Sequence, residues 1–276
     1  MSHYLITGNE GFIGRNLARE IVSLGHTFTG LEKTHVQRED WQTHILDIFN
    51  SNQFDGIFHV GACSDTLEYD VNYMMFLNYE VTRFISDLAK EKSIKIVYSS
   101  SAACYGTAGK LPANLYAWSK YVGEQYIKAC GTGVSLRYFN VFGPGEEDKG
   151  RMSSVAFQAH EKFYAKKEIS QMKLFPLNPT RDFIHVDDVV YANIFAMDHC
   201  ENGNVYDVGT TTPVPFESFM EEFEIPYVYT SEDQIPHGYQ FHTKASPEKL
   251  IPGWSPKSEI KERIRDYKLH LANSIK

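Results

Sequence analysis

Short apolar runs alternate with segments of helical periodicity through the first half of the chain. The run HYLIT leads into GFIGRNLAREIVSLG, where apolar residues recur every three or four positions up to a closing glycine, as on the buried face of a helix. Further strands are predicted at TFTGL, GIFHVGA, IKIVYSS and GVSLRYFN, and further helices at NYEVTRFISDLAKEK and LYAWSKYVGEQYIKACG. This alternation predicts an α/β fold, a doubly wound parallel sheet with helices on both faces.

After about residue 150 the alternation fades. SVAFQAHEKFYAKK and VDDVVYANIFAMDH have helical spacing, LFPLNPTRDF is predicted as loop, and prolines interrupt the tail from Thr211. We therefore expect two units. Residues 1–142, with 182–210 returning to them, form the sheet domain, and residues 143–181 and 211–276 form a smaller mixed lobe. The lobe is expected over the carboxyl ends of the strands, where such sheets bind ligands.

Composition excludes several functional classes. The 276 residues carry a net charge of −8 without a basic stripe, which argues against nucleic acid as a partner. No apolar run of about 18 residues predicts a membrane span, and the N-terminal residues lack the pattern of an export signal, so we expect a cytoplasmic protein. The cysteines are far apart, without the spacing of a metal site, and predict reduced thiols: Cys63, Cys104, Cys130 and Cys200.

A glycine-rich turn of the Rossmann type follows the first strand. TGNEGFIG places Gly8, Gly11 and Gly14 where glycines allow close approach of a dinucleotide pyrophosphate to a helix N-terminus. Glu32 closes the second strand 18 residues later, and a carboxylate there binds both ribose hydroxyls, which favours NAD over NADP. Lys33 or Arg15 could instead hold a 2′-phosphate, so NADP stays open, as does a plain strand–helix turn. The predicted cofactor site also includes Phe12, Ile13, Ile48, Ala62, Asn78 and, for the adenine edge, Asp47 in HILDIF.

The stretch YSSSAACYGTAGKLPANLYAWSK contains the candidate reaction centre. Tyr116 and Lys120 are four residues apart, so on a helix both emerge from one face. A phenol has an ordinary pKa of about 10, and a nearby ammonium with an oxidised nicotinamide ring would lower it. Ser101 ends the preceding strand and can bind the substrate oxygen. An ordinary amphipathic helix is the alternative interpretation of the tyrosine–lysine pair.

Together these motifs resemble the extended short-chain dehydrogenase/reductases, the NAD-dependent epimerase/dehydratase family that remodels nucleotide sugars. The resemblance covers nearly the whole chain, including RYFNVFGP at 137–144 and RDFIHVDDV at 181–189. It implies a nucleotide-sugar substrate and a homo-oligomer. It also implies that Asn140 and Arg181 contact the sugar nucleotide's diphosphate, although Arg181 could instead form a surface ion pair with Asp182.

Several segments resemble one branch of that family, the ADP-glyceromanno-heptose 6-epimerases: GACSDTLEYD (61–70), YMM (73–75), GPGEEDKGRMSSVAF (143–157), KLF (173–175) and GYQFHTKA (238–245). That branch implies oxidation and re-reduction of carbon 6 on a tightly bound cofactor. One phenol cannot serve both faces of that carbon unless the substrate turns through a large angle. The branch's second acid/base is the lysine of the glycine loop, here Lys149. Taken alone, that loop would predict a solvated lysine. The resemblance also implies substrate contacts from Ser64, Asp65, Thr66, Phe175 near the nucleotide base, and Tyr239.

Two departures leave the sugar open. Only fifteen positions separate Ser101 from Tyr116, and the C-terminal lobe is compact, so the substrate could be another heptose or hexose on ADP, GDP or another nucleotide. A UDP-hexose 4-epimerase would share the cofactor motifs without needing Lys149, and a 3,5-epimerase/4-reductase also stays open. A 4,6-dehydratase would need an Asp-Glu pair where this chain has Ala102 and Ala103, and a non-catalytic dinucleotide-binding protein would typically lack the tyrosine–lysine pair.

Overall fold

The structure, a computed structural model, describes residues 1–107, 111–235 and 239–274. Gly238, which belongs to one of the segments quoted above, and residues 108–110 in the short loop between Ser101 and Tyr116 lie outside these ranges. The strands are β1 (His3–Thr7), β2 (Thr27–Leu31), β3 (Gly56–His59), β4 (Ile96–Ser101), β5 (Gly133–Tyr138), β6 (Asn140–Phe142), β7 (Met172–Leu174), β8 (Thr180–Arg181), β9 (Phe183–His185), β10 (Val205–Val208), β11 (Val214–Pro215) and β12 (Tyr227–Tyr229).

The helices are α1 (Phe12–Ser23), α2 (Lys33–Val36), α3 (Trp41–Ser51), α4 (Val71–Met75), α5 (Val81–Glu91), α6 (Leu115–Cys130), α7 (Val155–His160), α8 (Val186–His199), α9 (Glu217–Phe223) and α10 (Ile260–Ser274). A π-helical turn at Phe76–Glu80 joins α4 to α5, and another at Glu161–Ala165 extends α7. Short 3₁₀ turns occupy Ala102–Tyr105 and Glu147–Met152. None of the helices in the described ranges is long and apolar enough to span a membrane.

Six parallel strands form the central sheet, in the order β10-β5-β4-β3-β1-β2. The chain starts inside the sheet at β1, moves outward to β2 and then crosses to β3 on the other side of β1. The direction of winding therefore reverses between β1 and β3, and a ligand crevice is expected beyond their carboxyl ends.

Both faces of the sheet are covered by apolar helix faces. Leu17 and Ile21 of α1 pack on one face together with Val189 of α8, and Ile45 of α3 and Ile85 of α5 pack on the other. Strands buried on both faces must be apolar along their whole length, which is why the sequence shows continuous runs rather than alternation. The predicted fold class is confirmed.

The second half of the chain contains more strand than the sequence indicated. LFPLNPTRDF, predicted as loop, contributes to β7, β8 and β9, which pair in three small two-stranded sheets with β12, β11 and β6. A separate aromatic core holds this lobe together: Phe142, Phe183, Phe219, Phe223 and Tyr267. The segment 182–210 adds α8 and β10 to the central assembly, while the exact boundaries between the two units remain a prediction.

Candidate active site

A cavity of 670 Å³ opens at the carboxyl ends of β1, β3 and β4. The β1–α1 turn, the end of β2 and the segment after β3 line one part of it, and β4 with α6 lines another. The remaining wall comes from the 3₁₀ turn before α7. The cavity therefore lies at the switch point that the sheet topology predicts.

The glycine turn is shaped for close approach of a ligand. Gly8 has a φ of +67°, and a Cβ there would lie 2.7 Å from the Cα of Gly61. A Cβ on Gly14 would lie 1.9 Å from the Gly8 carbonyl oxygen, which no side chain could tolerate. Gly11 precedes α1 without a capping side chain, so the first-turn N–H groups of Phe12 and Ile13 remain available at the cavity wall. These features fit the pyrophosphate of a dinucleotide.

Glu32 lies at the ribose end of the predicted cofactor site. Its carboxylate lines the cavity and accepts a hydrogen bond from the Glu10 N–H at 2.7 Å. The two nearby cations are engaged elsewhere: Arg15 pairs with Asp148 at 2.6 Å, and the Lys33 ammonium lies 5.1 Å from the ring of Tyr73. The carboxylate is thus free to meet ribose hydroxyls, as the sequence predicts for NAD.

Two of the three predicted reaction-centre residues line the inner end of the cavity, and the third, Ser101, lies beside it without lining it. Asn114 caps the N-terminus of α6 by accepting from the Ala117 N–H at 2.8 Å, and Tyr116 lies in the first turn that follows. Lys120 is only 2% exposed, with its ammonium 4.4 Å from the ring of Tyr98. Tyr116 and Lys120 both line the cavity, and Ser101 at the end of β4 is close enough to hydrogen-bond Tyr116.

Burial dominates the acidity of this pair. It raises the pKa of Tyr116 to about 12, and hydrogen bonding from Ser101 opposes the rise. It lowers the pKa of Lys120 to about 8, which leaves the ammonium mostly protonated at pH 7. For the protein residues by themselves, the cost of burying a phenolate decides the direction of the shift. The lowering expected from the ammonium together with an oxidised nicotinamide ring stays a prediction.

Lys149 lines the cavity rather than facing solvent. It lies in the 3₁₀ turn Glu147–Met152, with its ammonium 5.0 Å from the ring of Phe12. Burial lowers its pKa below the ordinary value, and the nearby Glu146 opposes that shift. We call residues 147–152 the lysine strap, because two ion pairs fasten it across the cavity, Arg15–Asp148 and Arg151–Asp65, each at 2.6 Å.

The base of the lysine strap depends on Glu146, which sequence reasoning missed. This carboxylate is fully buried and accepts hydrogen bonds from the Ser154 hydroxyl at 2.7 Å and from the Tyr267 hydroxyl at 2.9 Å. In the sequence it is one of three neighbouring acids in a polar loop, and nothing in that pattern separates the buried acid from its exposed neighbours Glu147 and Asp148.

A second group of predicted residues meets in the lobe, outside the lining of this cavity. The Arg181 guanidinium lies 5.1 Å from the ring of Tyr239, and Phe175 packs edge-on against the same ring at 5.0 Å. Asp182 does not pair with Arg181. It is fully buried and accepts from the backbone of Thr210 at 2.7 Å and from that of Ala245 at 2.9 Å.

The remaining predicted substrate contacts lie in two places, at the cavity and beside the lobe. Ser64 and Asp65 line the cavity with Ala62, and Thr66 lies at its edge, where its hydroxyl contacts Met152. Asn140 is exposed beside the lobe, with its amide oxygen 3.5 Å from the Thr243 hydroxyl.

Three predicted cofactor contacts are not at the cavity. Asp47 and Ile48 lie in α3, where Asp47 is exposed and Ile48 packs against the core. Asn78 is buried, and its side chain bonds the backbone of Cys63 at 2.7 and 2.9 Å and the hydroxyl of Ser119 at 2.8 Å. Asn78 therefore holds the segment after β3 against α6, behind the cavity wall.

His59 is a cavity residue that the sequence did not single out. It is 1% exposed and bonded on both ring nitrogens, to Thr7 and Thr82, each at 2.8 Å. Burial, with a smaller contribution from the Lys120 charge, lowers its pKa to about 3, so the ring is neutral at pH 7. Its only sequence signal is a histidine ending an apolar strand, which is also typical of core histidines.

Comparisons with known proteins agree with this geometry. The chain is 34% identical to the ADP-L-glycero-D-manno-heptose-6-epimerase of Brachyspira hyodysenteriae, over 89% of this chain and 90% of that protein. The structure of the same-named enzyme from Helicobacter pylori matches with a TM-score of 0.84 and 25% identity, over 98% of this chain and 96% of the other. The fold also matches UDP-glucose 4-epimerase from Thermotoga maritima, with a TM-score of 0.85 and 21% identity over 99% and 100% of the chains.

The family is shown by a match over most of the chain. Residues 4–209 match the model of the NAD dependent epimerase/dehydratase family, which spans the glycine turn, the reaction centre and the return of β10 to the sheet. The resemblance inferred from the sequence and the expected cofactor class are confirmed by this match. The chain belongs to the NAD dependent epimerase/dehydratase family.

Proposed function

We propose that the protein is a nucleotide-sugar epimerase that inverts carbon 6 of an ADP- or GDP-heptose on one tightly bound NAD or NADP. The observation that carries this proposal is a single cavity lined by two proton-transfer groups from separate elements, Tyr116 of α6 and Lys149 of the lysine strap. When the substrate does not turn between the two half-reactions, inversion needs proton transfer on both faces of the carbon. A 4-epimerase whose substrate turns can use one tyrosine for both half-reactions and has no need of the second group.

A bound nicotinamide cofactor, which the glycine turn and Glu32 would hold, would supply the hydride acceptor and donor for the carbinol carbon. Tyr116 would act as a phenolate, stabilised by the charges of Lys120 and the oxidised ring, and take up the hydroxyl proton on one face while Ser101 hydrogen-bonds the same oxygen. Lys120 keeps an ammonium on the same face of α6 as the phenol, and its deep burial strengthens its attraction for a phenolate. Lys149 exchanges the proton on the other face, and the burial that lowers its pKa makes release of its proton easier.

Arg181 and Asn140 are proposed to hold the diphosphate. Arg181 is 8% exposed, and burial lowers its pKa. One terminal nitrogen donates to the carbonyl oxygens of Thr180 and Phe241, each at 2.9 Å, and the guanidinium lies against aromatic rings rather than a carboxylate. A cation held in this way is suited to phosphate oxygens.

Two further groups of residues are proposed to contact the sugar and the nucleotide base. Ser64, Asp65 and Thr66 would meet sugar hydroxyls, and Phe175 with Tyr239 would lie near the base. Asp65 already accepts from Arg151 of the lysine strap, so a sugar bound there would contact both walls of the cavity. The similarity to ADP-L-glycero-D-manno-heptose-6-epimerases supports an ADP-linked heptose as the first substrate to test.

Replacement of Lys149 by Met tests the second acid/base. We expect epimerisation to fall by about 10²–10⁴ with cofactor content unchanged, because one proton-transfer group is lost. The epimerisation rate of Tyr116→Phe should fall by a similar factor. Lys90→Met, on the exposed side of α5, should retain the wild-type rate. If the activity of Lys149→Met is within a few-fold of the wild type, this lysine is not the second acid/base.

We further propose that the protein is a cytoplasmic homo-oligomer. Side chains of α4, the π-helical turn and α6 form an apolar groove on the outside of the sheet domain: Met75, Tyr79, Val122, Tyr126 and Ala129. The four cysteines are free thiols, which suits a reducing compartment. Light scattering with size-exclusion chromatography tests the assembly. A wild-type mass of one chain would reject it, and Val122→Glu should reduce the mass of any assembly formed through this groove.

A further inference from the structure

The reaction-centre residues come from two elements whose relative position has to be maintained. Ser101 ends β4, whereas Tyr116 and Lys120 belong to α6. Acid/base catalysis depends on donor–acceptor distances that tolerate only tenths of an ångström. A specific interaction must therefore fix the position of α6 relative to the end of β4.

A buried carboxylate joins these two elements. Glu124 lies one helical turn beyond Lys120, on the same face of α6, and is fully buried. It accepts a hydrogen bond at 2.8 Å from the hydroxyl of Ser100, the residue before Ser101 in β4. It also accepts two hydrogen bonds from Arg137 of β5, at 2.7 and 2.8 Å.

Strand register and helix approach support the same arrangement. Ser100 is opposite Arg137 in the β4–β5 ladder, so both donors reach one carboxylate. Gly123 allows α6 to lie close to β4, since a Cβ there would be 2.5 Å from the Tyr98 hydroxyl. The Arg137 guanidinium is itself held over the ring of Tyr105, 4.5 Å from its centroid.

We propose that Glu124 is a positioning residue that fixes Tyr116 and Lys120 of α6 relative to Ser101 of β4. It does not line the cavity, and it acts through Ser100 on the strand and through its own helix. The bidentate pair with Arg137 prevents the carboxylate from turning toward the Lys120 ammonium. The carboxylate thereby stays bonded to Arg137 and Ser100 while it fixes the geometry of the reaction centre.

The test compares Glu124→Gln and Ser100→Ala with Ser86→Ala. Ser86 is a matched control, because its buried hydroxyl bonds Thr132 at 2.9 Å, next to Ile96 at the start of β4 and so at the opposite end of that strand from Ser101. We expect kcat of Glu124→Gln to fall about 10- to 100-fold with KM within about twofold, since a misplacement of the order of 1 Å costs up to about 10² in rate. Ser100→Ala keeps the ion pair and should lose about threefold in kcat, and Ser86→Ala should match the wild type.

A pH profile separates positioning from a purely structural role. The groups facing Lys120 are His59 of β3, Tyr98 of β4, Cys104 of the following turn, and Tyr116 and Glu124 of α6. Against the larger lowering by burial, Cys104 and then the Glu124 charge raise the pKa of Lys120. The alkaline limb of kcat should therefore move to lower pH in Glu124→Gln and stay in place in Ser86→Ala.

This inference rests on the proposed epimerase function for its kinetic readout, so a second readout uses the cofactor alone. Displacement of bound NADH by excess NAD, followed by fluorescence, should be faster in Glu124→Gln and Ser100→Ala if Lys120 is misplaced against the nicotinamide ribose. Unchanged NADH release and unchanged kcat in Ser100→Ala, or a Glu124→Gln protein that is less stable with kcat unchanged, would overturn the proposal. Wild-type protein that binds NADH but epimerises no nucleotide sugar would instead reject the proposed function.

Discussion

The buried Lys120 should lower the stability of the folded protein at neutral pH. It is 2% exposed, and burial lowers its pKa from 10.5 to about 8. Below pH 8 the folded protein must hold a charged ammonium in a poorly solvated site, whereas the unfolded chain holds the same charge in water. Lys120→Met removes that charge and fills nearly the same space. The variant should therefore be catalytically inactive and more stable than the wild type at neutral pH.

The size of the effect follows from the two pKa values. The unfolded state binds more protons than the folded state between pH 8 and 10.5, so the stability of the wild type rises with pH across that interval. At about 1.4 kcal/mol per pKa unit, the penalty is about 3 kcal/mol at pH 7 and about 1.4 kcal/mol at pH 9.5. Loss of the contact with the Tyr98 ring, 4.4 Å away, offsets roughly 1 kcal/mol.

Calorimetry of nucleotide-free protein measures the difference. With an unfolding entropy of about 2.1 cal/mol/K per residue over 276 residues, a net 2 kcal/mol corresponds to a rise in Tm of roughly 3–4 °C at pH 7. At pH 9.5 the folded lysine is neutral and the ring contact no longer offsets the penalty, so the rise should shrink to roughly 2 °C. Lys128→Met, at an exposed site in the last turn of α6, is the control and should show no such pH dependence. A Lys120→Met protein no more stable than the wild type, or stabilised equally at both pH values, would refute the reasoning.

Three further outcomes are expected. Gly14→Ala should lose dinucleotide binding in calorimetric titration, because the new Cβ would lie 1.9 Å from the Gly8 carbonyl oxygen; binding within tenfold of wild type would contradict this. In wild-type kinetics kcat should fall as the pH rises past about 8, where Lys120 loses its proton; a rate that still increases at pH 9.5 would count against a protonated lysine. Asp148→Asn should raise the affinity for NADP relative to NAD by a few-fold, because Arg15 loses its 2.6 Å partner and can meet a 2′-phosphate; an unchanged ratio would show that Arg15 lies out of reach.

The sheet domain was predictable because its strands are buried on both faces. Residues 4–6 (YLI) and 96–98 (IVY) are continuous apolar runs, and they are separated by helices with one apolar face, a pattern that few other folds require. The small strands of the lobe escaped prediction because two or three residues carry no usable periodicity. Their pairing depends on contacts between segments far apart in the chain, such as that of Thr180 with Pro215.

The candidate site was predictable where one local motif supplies the geometry. The glycine turn and the tyrosine–lysine pair are such motifs, and all their residues line the cavity. The adenine contact predicted for Asp47 in HILDIF does not appear at the cavity. Ile45 and Phe49 are four residues apart and buried, so the segment is helical and Asp47 is exposed. The acidity of Tyr116 could not be predicted, since it depends on how deeply the folded chain buries the phenol.

The most direct test of the central claim is incubation of the purified protein with one C6 epimer of ADP-glyceromanno-heptose in deuterated water, without added cofactor. Proton NMR follows carbon 6 during the reaction. We predict that the other epimer appears and that its carbon 6 carries no deuterium, because the hydride leaves and returns on the bound cofactor. Deuterium at carbon 6, or no interconversion while another nucleotide sugar is turned over, would contradict the account.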